Sequence, residues 1–176
     1  MNFNINPDLA RAAATRIKLL LLDVDGVLTD GRLYFSNSGD EMKAFHTLDG
    51  HGIKMLMDAG IEVGIITGRE SALVAKRSTE LGIKLLYQGR DSKLSAFNEI
   101  IAKQKISDDL VCFAGDDLPD LPILKRVGLG ISVPQAPAYI RSAVHAITNA
   151  EAGNGAVREI ADYLLNSQGK LEAFLG

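Results

Sequence analysis

Asp23 and Asp25 are the first residues in the chain whose types and spacing could do chemistry. They follow the apolar run Leu19–Leu22 and precede Gly26, which lets the chain turn directly after the pair. Paired carboxylates at the end of a buried strand can supply a nucleophile and a general acid at the edge where open α/β sheets bind ligands. An Asp-x-Asp pair alone is a weak signal, so its meaning depends on the polar clusters elsewhere in the chain.

A second acidic group, Asp116, Asp117 and Asp120, follows the apolar run Leu110–Ala114. If both groups lie at one edge of a sheet, five carboxylates repel one another unless a cation lies among them. Oxygen ligands select a hard cation, and Mg²⁺ suits a site that keeps water and phosphate oxygens around the metal. The alternative is that Asp117 caps a helix that begins near Leu118, which would account for Asp117 or Asp120 better than for Asp116.

Two further groups could bind an anion such as phosphate. Thr67, Gly68 and Arg69 end the apolar run Glu62–Thr67, so a hydroxyl, a small residue and a helix N-terminus would form a phosphate cradle. Arg69 could bind a second anionic group on the substrate. Lys93 lies at the start of a predicted helix, where the helix dipole disfavours a cation unless it meets an anion. The alternatives are that Thr67 only caps the next helix and that Lys93 is a solvated surface residue.

Short apolar runs alternate with amphipathic segments, which is typical of parallel strands that are buried on both faces and joined by helices. The sequence therefore predicts an α/β fold with a doubly wound, mostly parallel, Rossmann-like sheet between helices. The predicted strands are Ile17–Leu22, Glu62–Thr67, Lys84–Tyr87, Leu110–Ala114, Gly128–Ser132 and Val144–Thr148. The predicted helices are Gly50–Ala59, Glu70–Leu81, Asp91–Lys105, Leu118–Arg126, Ala136–Ala143 and Ala156–Asn166.

Residues 32–46 break this alternation and predict a β-hairpin, with strands Arg32–Phe35 and Met42–His46 around a turn at residues 37–40. The hairpin is apolar for its size, and two strands alone are only marginally stable. We therefore expect it to protrude and to pack on the domain or on another subunit. The C-terminal tail, residues 167–176, contains the helix breaker Gly169 and is expected to fray unless something holds it.

Length and composition limit the class of protein. A chain of 176 residues predicts a single domain, residues 1–176. The net charge is −3 and the basic residues are scattered, which argues against nucleic acid as a partner. No apolar stretch approaches the length of a membrane helix, and the N-terminal residues lack a signal-peptide pattern. The single cysteine, Cys112, lies in an apolar run and predicts a buried thiol, so we expect a cytoplasmic protein.

These signals occur in one order, each after a predicted strand, and together they resemble the four motifs of the haloacid dehalogenase superfamily of phosphatases. The matching residues are Asp23 with Asp25, Thr67, Lys93, and Asp116 with Asp117 or Asp120. The resemblance covers nearly the whole chain. It implies covalent phosphoryl transfer, with Asp23 as the nucleophile and Asp25 as the general acid and base. It also implies that Thr67 and Lys93 stabilise the transferring phosphoryl group.

The same resemblance implies Mg²⁺ as cofactor, with the carboxylates of Asp23 and Asp116 as ligands. A carboxylate bound to a dication cannot readily hold the proton that a general acid donates. We therefore expect Asp25 to meet the metal through its main-chain carbonyl. Asp117 is expected to orient the site lysine or to cap a helix, and Asp120 to support the metal ligands from behind.

Many members of this superfamily carry a cap domain inserted between the motifs. The interval from Asp25 to Thr67 spans 42 positions, which the hairpin and one helix fill, and the interval from Thr67 to Lys93 spans 26. Neither interval has room for a cap. The predicted site is therefore open to water unless a neighbouring subunit closes it.

Three strings narrow the resemblance to the 3-deoxy-D-manno-octulosonate 8-phosphate phosphatases, namely residues 23–31, 45–53 and 153–159. That family is uncapped and tetrameric, its hairpins form a central barrel, and it hydrolyses an eight-carbon acid-sugar phosphate on the way to lipopolysaccharide. The resemblance implies a homotetramer assembled through the hairpin, with Arg69 at the substrate. A neighbour's hairpin and tail would then form a lid over the site, with a disordered tail as the alternative. The lid would explain the apolar tail residues Leu171, Phe174 and Leu175.

Three rival interpretations remain. An N-acylneuraminate 9-phosphate phosphatase would share the uncapped scaffold, and no residue separates it from the eight-carbon enzyme on physical grounds. A non-catalytic oligomerisation module, like those attached to some sialate cytidylyltransferases, is disfavoured by the complete set of site residues. A signalling receiver domain also uses Asp, Thr, Lys and Mg²⁺. Its phosphorylated aspartate lies on a middle strand, however, and the strand Glu62–Thr67 ends without one.

The histidines and the last helix are weaker candidates. His46 and His51 flank the start of a predicted helix and could line a neighbour's site, although we expect them to pack at the helix start or at an interface. His145 lies in a predicted strand and is expected to be structural. Gly153–Gly155 could bind an anion at the start of the last helix or form a plain loop. Arg158 is expected to be a solvated helix residue.

Overall fold

Nine strands and seven α-helices make up the structure, a computed structural model that describes all residues from Met1 to Gly176. The strands are β1 (Asn2–Phe3), β2 (Leu19–Leu22), β3 (Tyr34–Phe35), β4 (Glu41–Met42), β5 (Glu62–Ile66), β6 (Leu85–Tyr87), β7 (Val111–Ala114), β8 (Leu129–Ser132) and β9 (Ala146–Ile147). The helices are α1 (Pro7–Ala14), α2 (Thr47–Asp58), α3 (Ala72–Leu81), α4 (Lys93–Gln104), α5 (Leu121–Leu124), α6 (Ala138–Arg141) and α7 (Ala156–Ser167). None of these helices combines the length and the apolar character that a membrane span requires.

Seven of the strands form one sheet in the order β1-β9-β8-β7-β2-β5-β6. Every neighbouring pair is parallel except β1 and β9, which are antiparallel at one edge. From the central β2 the chain winds first to one side of the sheet and then to the other. The predicted doubly wound, mostly parallel sheet is therefore confirmed.

The four leucines of β2 show why an uninterrupted apolar run forms a central strand. Leu20 and Leu22 pack into a core with α1, α2, α3 and α7 on one face of the sheet. Leu19 and Leu21 pack into a second core with α4, α5 and α6 on the other face. Both faces of the strand are therefore buried, and neither can carry polar residues. The thiol of Cys112 in neighbouring β7 is buried, as predicted, and burial raises its pKa.

Several observed elements are shorter than predicted. β1 and α1 were not predicted from the sequence. The predicted helix Leu118–Arg126 is helical only over α5, because it opens with a turn in which the Asp120 N–H donates to the Asp117 carbonyl (3.0 Å). The start of α1 carries a recognisable signal. Asn6 caps the helix by accepting the N–H of Asp8 (2.8 Å), and a proline occupies the first helical position.

The hairpin stands outside the main sheet, as predicted, but its strands are shorter than expected. β3 and β4 pair antiparallel, with Tyr34 opposite Met42. Side chains help to close the turn, since the Asp40 N–H donates to Ser36 Oγ (3.0 Å) and the Ser36 N–H donates to the Asp40 carbonyl (3.0 Å). The large apolar side chains of the hairpin lie exposed to solvent: Leu33, Tyr34, Phe35 and Met42. Within the chain these side chains have little to pack against.

The C-terminal tail lies at the edge of the sheet where the parallel strands begin. Gln168 donates to the main-chain oxygen of Ile17 (2.9 Å), and Lys170 donates to that of Ala59 (2.9 Å). Both acceptors shortly precede the start of a strand. Residues Leu171–Phe174 form a 3₁₀ turn, and Leu175 is exposed. The predicted site residues follow the opposite ends of the strands, so the tail does not reach the site of its own chain.

Candidate active site

The predicted site residues follow three adjacent strands and one helix start. β2 lies between β5 and β7, and Leu22 pairs with both Ile65 and Ala114, so the segments after these strands meet at one edge of the sheet. An open cleft of about 380 Å³ lies at this edge, and its lining is polar or charged apart from two glycines and Pro119. The lining residues are Asp23, Asp25, Gly31, Thr67, Gly68, Arg69, Lys93, Asp116, Asp117, Pro119 and Asp120. The structure thus brings together every residue that the sequence analysis assigned to catalysis, substrate or metal.

The segment after β2 directs Asp23 and Asp25 to different partners. It forms a tight five-residue turn, Val24–Leu28, in which Gly26 has a φ of +95°. A Cβ atom at Gly26 would also collide with the carboxylate of Asp116. Glycine is therefore required here both for the backbone conformation and for the close approach of the acidic loop after β7.

Lys93 lies between two carboxylates in the floor of the cleft. Its Nζ is 2.8 Å from Asp23 Oδ1 and 2.7 Å from Asp120 Oδ1. Only 8% of the Lys93 side chain is exposed, so it is not a solvated surface lysine. Ser92 caps α4, with Ser92 Oγ accepting the N–H of Ser95 (3.2 Å), and Lys93 occupies the first helical position. An ammonium group at this end of a helix is disfavoured by the dipole, and the two carboxylates offset that cost.

Asp120, and not Asp117 as predicted from the sequence, holds the site lysine Lys93. Besides bonding Lys93, the fully buried Asp120 accepts the main-chain N–H groups of Asp116 (3.1 Å) and Asp117 (3.3 Å) through Oδ2. Asp117 is exposed and accepts only the N–H of Leu118 (2.8 Å). It neither orients Lys93 nor caps the helix, because α5 begins three residues later than predicted.

Asp23, Asp116 and Asp120 form an acidic cluster in which one oxygen of each carboxylate lies within 4.8 Å of the others. Burial raises the pKa of Asp23 to about 8, and repulsion from Asp120 adds to the rise while Lys93 opposes it. Burial and repulsion from Asp120 likewise raise the pKa of Asp116 to about 6. Burial alone would lower the pKa of Lys93, but the attraction of Asp23 and Asp120 outweighs it and raises the pKa. One lysine therefore faces three carboxylates, and the cluster lacks positive charge.

The acidic cluster fits a hard divalent cation. Its donors are all carboxylate oxygens, which suit Mg²⁺, and its excess negative charge favours a dication. Both oxygens of Asp120 already accept hydrogen bonds, so Asp23 and Asp116 are the carboxylates best able to hold a metal. The Asp25 carboxylate is not part of the cluster. A metal contact through its main-chain carbonyl stays a prediction.

Thr67 follows β5 and is almost fully buried at the cleft. Its hydroxyl accepts the N–H of Arg69 (3.4 Å), but α3 begins only at Ala72, after the N-cap position Ser71. The alternative that Thr67 merely caps this helix is therefore wrong. A Cβ atom at Gly68 would meet only an ordinary van der Waals contact, so nothing within the chain requires glycine there.

Two hairpin residues that were not predicted from the sequence contact side chains that line the cleft. Lys43 donates to Asp25 Oδ1, and Glu41 Oε1 accepts a hydrogen bond from Arg69 Nη2 (3.3 Å). We call Asp25, Glu41, Lys43 and Arg69 the hairpin network. Polar Glu41 and Lys43 alternate with apolar Met42, which places them on the opposite side of the strand. This alternation is the signal that could have identified them.

Two of the histidines have structural roles. His46 Nδ1 accepts the N–H of Leu48 (3.3 Å) and so caps α2, as the helix-start interpretation predicts. His145, directly before β9, accepts the N–H of Gly130 in β8 through Nδ1 (2.7 Å). This hydrogen bond holds the two neighbouring segments together. His51 is exposed on α2.

The start of α7 already holds an anion from within the chain. The buried carboxylate of Asp49 accepts the N–H groups of Gly155 (3.3 Å) and Arg158 (2.8 Å). Burial raises the pKa of Asp49 above its ordinary value, and the hydrogen bonds from these two N–H groups offset only part of that rise. Gly153–Gly155 therefore form a helix start that Asp49 occupies, which favours the plain-loop alternative over an anion site. The Arg158 side chain pairs with Asp162 (2.8 Å) along the helix.

Comparisons with known proteins agree with this geometry. A family model described as haloacid dehalogenase-like hydrolase matches residues 86–160. The chain is 46% identical over 165 residues to a 3-deoxy-D-manno-octulosonate 8-phosphate phosphatase of Escherichia coli K12. That alignment covers 94% of this chain and 88% of the relative.

Solved structures give the same result. A 3-deoxy-D-manno-octulosonate 8-phosphate phosphatase from Yersinia pestis is 43% identical with a TM-score of 0.92, covering 94% of this chain and 89% of that one. The corresponding phosphatase from Moraxella catarrhalis, solved with a magnesium ion, a phosphate ion and a KDO molecule, is 41% identical with a TM-score of 0.94. It covers 97% of this chain and 98% of that one. Sequence and fold together show that the chain belongs to the 3-deoxy-D-manno-octulosonate 8-phosphate phosphatase family of haloacid dehalogenase-like hydrolases.

Proposed function

We propose that the chain is a Mg²⁺-dependent phosphomonoesterase that hydrolyses 3-deoxy-D-manno-octulosonate 8-phosphate through an aspartyl-phosphate intermediate, in lipopolysaccharide precursor synthesis. The observation that carries this proposal is the contact between the buried Lys93 and Asp23 (2.8 Å) inside an acidic cluster at the strand ends. A carboxylate held by a lysine and a metal can approach an anionic phosphate that would otherwise repel it. The family's curated members supply the identity of the sugar phosphate.

In the first step of the proposed reaction, Asp23 is the nucleophile. One of its carboxylate oxygens attacks phosphorus, the bond from phosphorus to the ester oxygen breaks, and an aspartyl phosphate forms. Asp25 gives its proton to the departing oxygen, so the sugar leaves as an alcohol rather than as an alkoxide. Lys93 offsets the repulsion between the anionic nucleophile and the anionic substrate.

In the second step, water hydrolyses the intermediate. Asp25, now ionised, takes a proton from the water as its oxygen attacks phosphorus, and the Asp23 carboxylate departs. Inorganic phosphate leaves and Asp25 is protonated again for the next cycle. The Thr67 hydroxyl and the Lys93 ammonium group donate to phosphoryl oxygens, where negative charge accumulates in the transition state.

Mg²⁺ is the cofactor, and we assign its ligands as the carboxylates of Asp23 and Asp116 and the main-chain carbonyl of Asp25. When bound, the ion neutralises charge on the phosphoryl oxygens. The all-oxygen donor set and the shortage of positive charge in the acidic cluster support this assignment. The relative from Moraxella catarrhalis, solved with a magnesium ion and a phosphate ion, supports Mg²⁺ as the cofactor.

We assign substrate binding to Gly68 and Arg69. Arg69 lies at the mouth of the cleft with 43% of its side chain exposed, and a guanidinium group there can bind the carboxylate of an acid sugar. N-acylneuraminate 9-phosphate carries a carboxylate as well, but no observation in this chain favours it. A non-catalytic module is not favoured either, because the cleft retains the complete set of site residues.

We infer that residues 1–176 act as one domain within a homotetramer assembled through the hairpin, in the cytoplasm. The exposed apolar side chains of β3 and β4 support an assembly surface, since a monomer gains nothing from exposing them together. Because the tail lies at the opposite edge of the sheet from its own cleft, it could cover only the cleft of a neighbour. The single buried cysteine is in keeping with a reducing compartment.

Phosphate release from a panel of sugar phosphates, with and without Mg²⁺, tests the proposed activity. The panel includes the eight-carbon and nine-carbon acid-sugar phosphates and neutral hexose phosphates. We expect Mg²⁺-dependent release with a strong preference for the eight-carbon substrate. Preference for the nine-carbon substrate would move the assignment to the rival acid-sugar phosphatase, and no release from any substrate would favour the non-catalytic module.

Sedimentation velocity tests the proposed assembly. Phe35→Asp places a charge on the exposed face of β3 and is expected to dissociate the tetramer and to lower activity on the sugar phosphate. Leu9→Asp is the matched control, because Leu9 is equally apolar and exposed but lies on α1. A wild-type chain that sediments as a monomer would remove the tetramer from the proposal.

A further inference from the structure

Lys43 comes from the hairpin yet is nearly absent from the surface. Only 2% of its side chain is exposed, and its Nζ contacts Asp25 Oδ1 and lies 3.5 Å from Glu41 Oε1. Burying a lysine is costly unless carboxylates compensate its charge. A residue on a protruding hairpin could easily point to solvent, so its burial against Asp25 calls for an explanation.

The contact with Lys43 makes the two oxygens of Asp25 unequal. Oδ1 is held by the lysine, whereas Oδ2 is buried and accepts no hydrogen bond. Arg69 Nε lies 3.6 Å from Oδ2, too far for a hydrogen bond. Oδ2 is therefore the oxygen that remains available for a proton and for a partner in the cleft.

Glu41 anchors this arrangement to the main domain. Its Oε2 accepts the hydroxyl proton of Ser71 (2.7 Å), and its Oε1 accepts from Arg69 Nη2 (3.3 Å). Ser71 stands at the N-cap position of α3, directly after the loop that carries Thr67. The base of the hairpin is thus joined to the segment after β5 through Glu41 and to the segment after β2 through Lys43, which cannot rotate away without losing both of its carboxylate partners.

When Asp25 is ionised, as it is between the two steps of the proposed reaction, the charges of the hairpin network balance. Two carboxylates, Asp25 and Glu41, face two cations, Lys43 and Arg69. Unlike the acidic cluster, the network needs no ion from outside. Its geometry constrains Asp25 through Oδ1.

We propose that Lys43 is a positioning residue of the reaction, which fixes Oδ1 of Asp25 so that Oδ2 is the atom that transfers the proton. This inference rests on the proposed function, in which Asp25 is the general acid and base. In the first step the proton on Oδ2 passes to the ester oxygen as its bond to phosphorus breaks, and in the second step Oδ2 receives a proton from water. Lys43 keeps its own protons throughout.

Leaving-group dependence tests the proposal. The constant kcat/KM reports only steps up to phosphoryl transfer, because the sugar or phenol leaves at that point. A sugar alkoxide needs the proton from Asp25, whereas the nitrophenolate of p-nitrophenyl phosphate leaves without one. We expect Lys43→Met to lower kcat/KM for 3-deoxy-D-manno-octulosonate 8-phosphate by about 30- to 100-fold but that for p-nitrophenyl phosphate by less than about 3-fold.

Two further variants complete the experiment, and sedimentation velocity shows whether Lys43→Met dissociates the assembly. Lys43→Arg retains a cation at this point and is expected to keep activity on the sugar phosphate within about 10-fold of wild type. Lys76→Met, which removes an exposed lysine from α3, is the matched control and should leave kcat/KM for both substrates unchanged. An equal loss on both substrates in Lys43→Met, with or without dissociation of the assembly, would overturn the proposal, as would no loss at all.

Wild type and Asp25→Asn separate the two levels of inference. If wild type releases phosphate and Asp25→Asn is nearly inactive on the sugar phosphate, the proposed function stands and the Lys43 variants decide the positioning role. If Asp25→Asn retains near-normal activity, Asp25 is not the general acid, and the role of Lys43 fails with it.

Discussion

The acidic cluster and the hairpin network lie side by side in one cleft but differ in charge balance. In the acidic cluster, three carboxylates, two of them buried, share one lysine, and the pKa of Asp23 is raised to about 8. In the hairpin network, two carboxylates face two cations, and every charge has a partner. The difference teaches that the acidic cluster has an excess of negative charge that favours a cation, whereas the ionised hairpin network balances its own charge.

The two groups also come from different parts of the fold. The acidic cluster is carried by segments that follow β2 and β7, at the centre of the sheet, where the strands leave little freedom. Glu41 and Lys43 come from a hairpin outside the sheet, whose other side is apolar and exposed. The predictions below separate what each group contributes.

The largest expected effect is the loss of the nucleophile in the acidic cluster. Asp23→Asn keeps the shape of the side chain but removes the attacking carboxylate, and we expect kcat for the sugar phosphate to fall by about 10⁴-fold or more. The measurement is steady-state phosphate release at saturating Mg²⁺. Asp58→Asn, an exposed aspartate on α2, is the control and should stay within about 2-fold of wild type. Near-normal activity of Asp23→Asn would reject covalent catalysis by this residue.

The next effect concerns how the acidic cluster holds its lysine. Asp120→Ala removes a buried carboxylate that bonds Lys93 and two main-chain N–H groups. We expect the free energy of unfolding to fall by about 3 kcal/mol, measured by urea denaturation. Asp117→Ala changes an exposed aspartate in the same loop and should shift it by no more than about 0.5 kcal/mol. Equal effects of the two variants would contradict the distinct roles assigned to them.

A third prediction concerns how the stabilisation by Mg²⁺ depends on pH. Because the pKa values of Asp23 and Asp116 are raised in the folded state, to about 8 and about 6, the metal-free folded protein binds protons that the unfolded chain releases. Their contribution to stability is complete below the ordinary aspartate pKa and is lost as pH rises toward about 8. Mg²⁺ replaces those protons, so the gain in Tm on adding Mg²⁺ should be larger at about pH 8 than at about pH 6.

Thermal unfolding in EDTA and in Mg²⁺ across this pH range measures the effect. Asp23→Asn lacks the titrating carboxylate, so its gain in Tm should vary less with pH than that of wild type. A gain that is the same at both pH values in wild type would show that the acidic cluster does not carry the protonation assigned to it.

The smallest expected effect lies in the exposed part of the hairpin network. Glu41→Gln removes the charge that pairs with the partly exposed Arg69 but keeps the side chain's shape. We expect kcat/KM for the sugar phosphate to fall by only about 3-fold, since the pair with Arg69 is partly exposed and Lys43 keeps its contact with Asp25. Glu80→Gln removes a similar pairing with Arg77 outside the cleft and is the control. A loss as large as that expected for Lys43→Met would mean that Glu41 does more than hold its neighbours.

The sequence by itself determined the central sheet and the composition of the acidic cluster. A run of leucines buried on both faces can only be a central strand, and polar residues directly after such strands must meet at one edge of the sheet. The positions of Asp23, Thr67 and Asp116 therefore followed from local pattern and strand direction alone. Lys93 could be placed at a helix start, although its burial could not be read from the pattern.

Only the tertiary structure decided which side chains touch. Asp120 rather than Asp117 holds Lys93, because the chain turns before α5 and buries one aspartate while exposing the other. Lys43 lies 18 residues after Asp25 and reaches it from the hairpin, a contact that no local periodicity encodes. Strand ends are fixed by short-range pattern, but the partners of long charged side chains depend on how separate elements pack, and that depends on the whole fold.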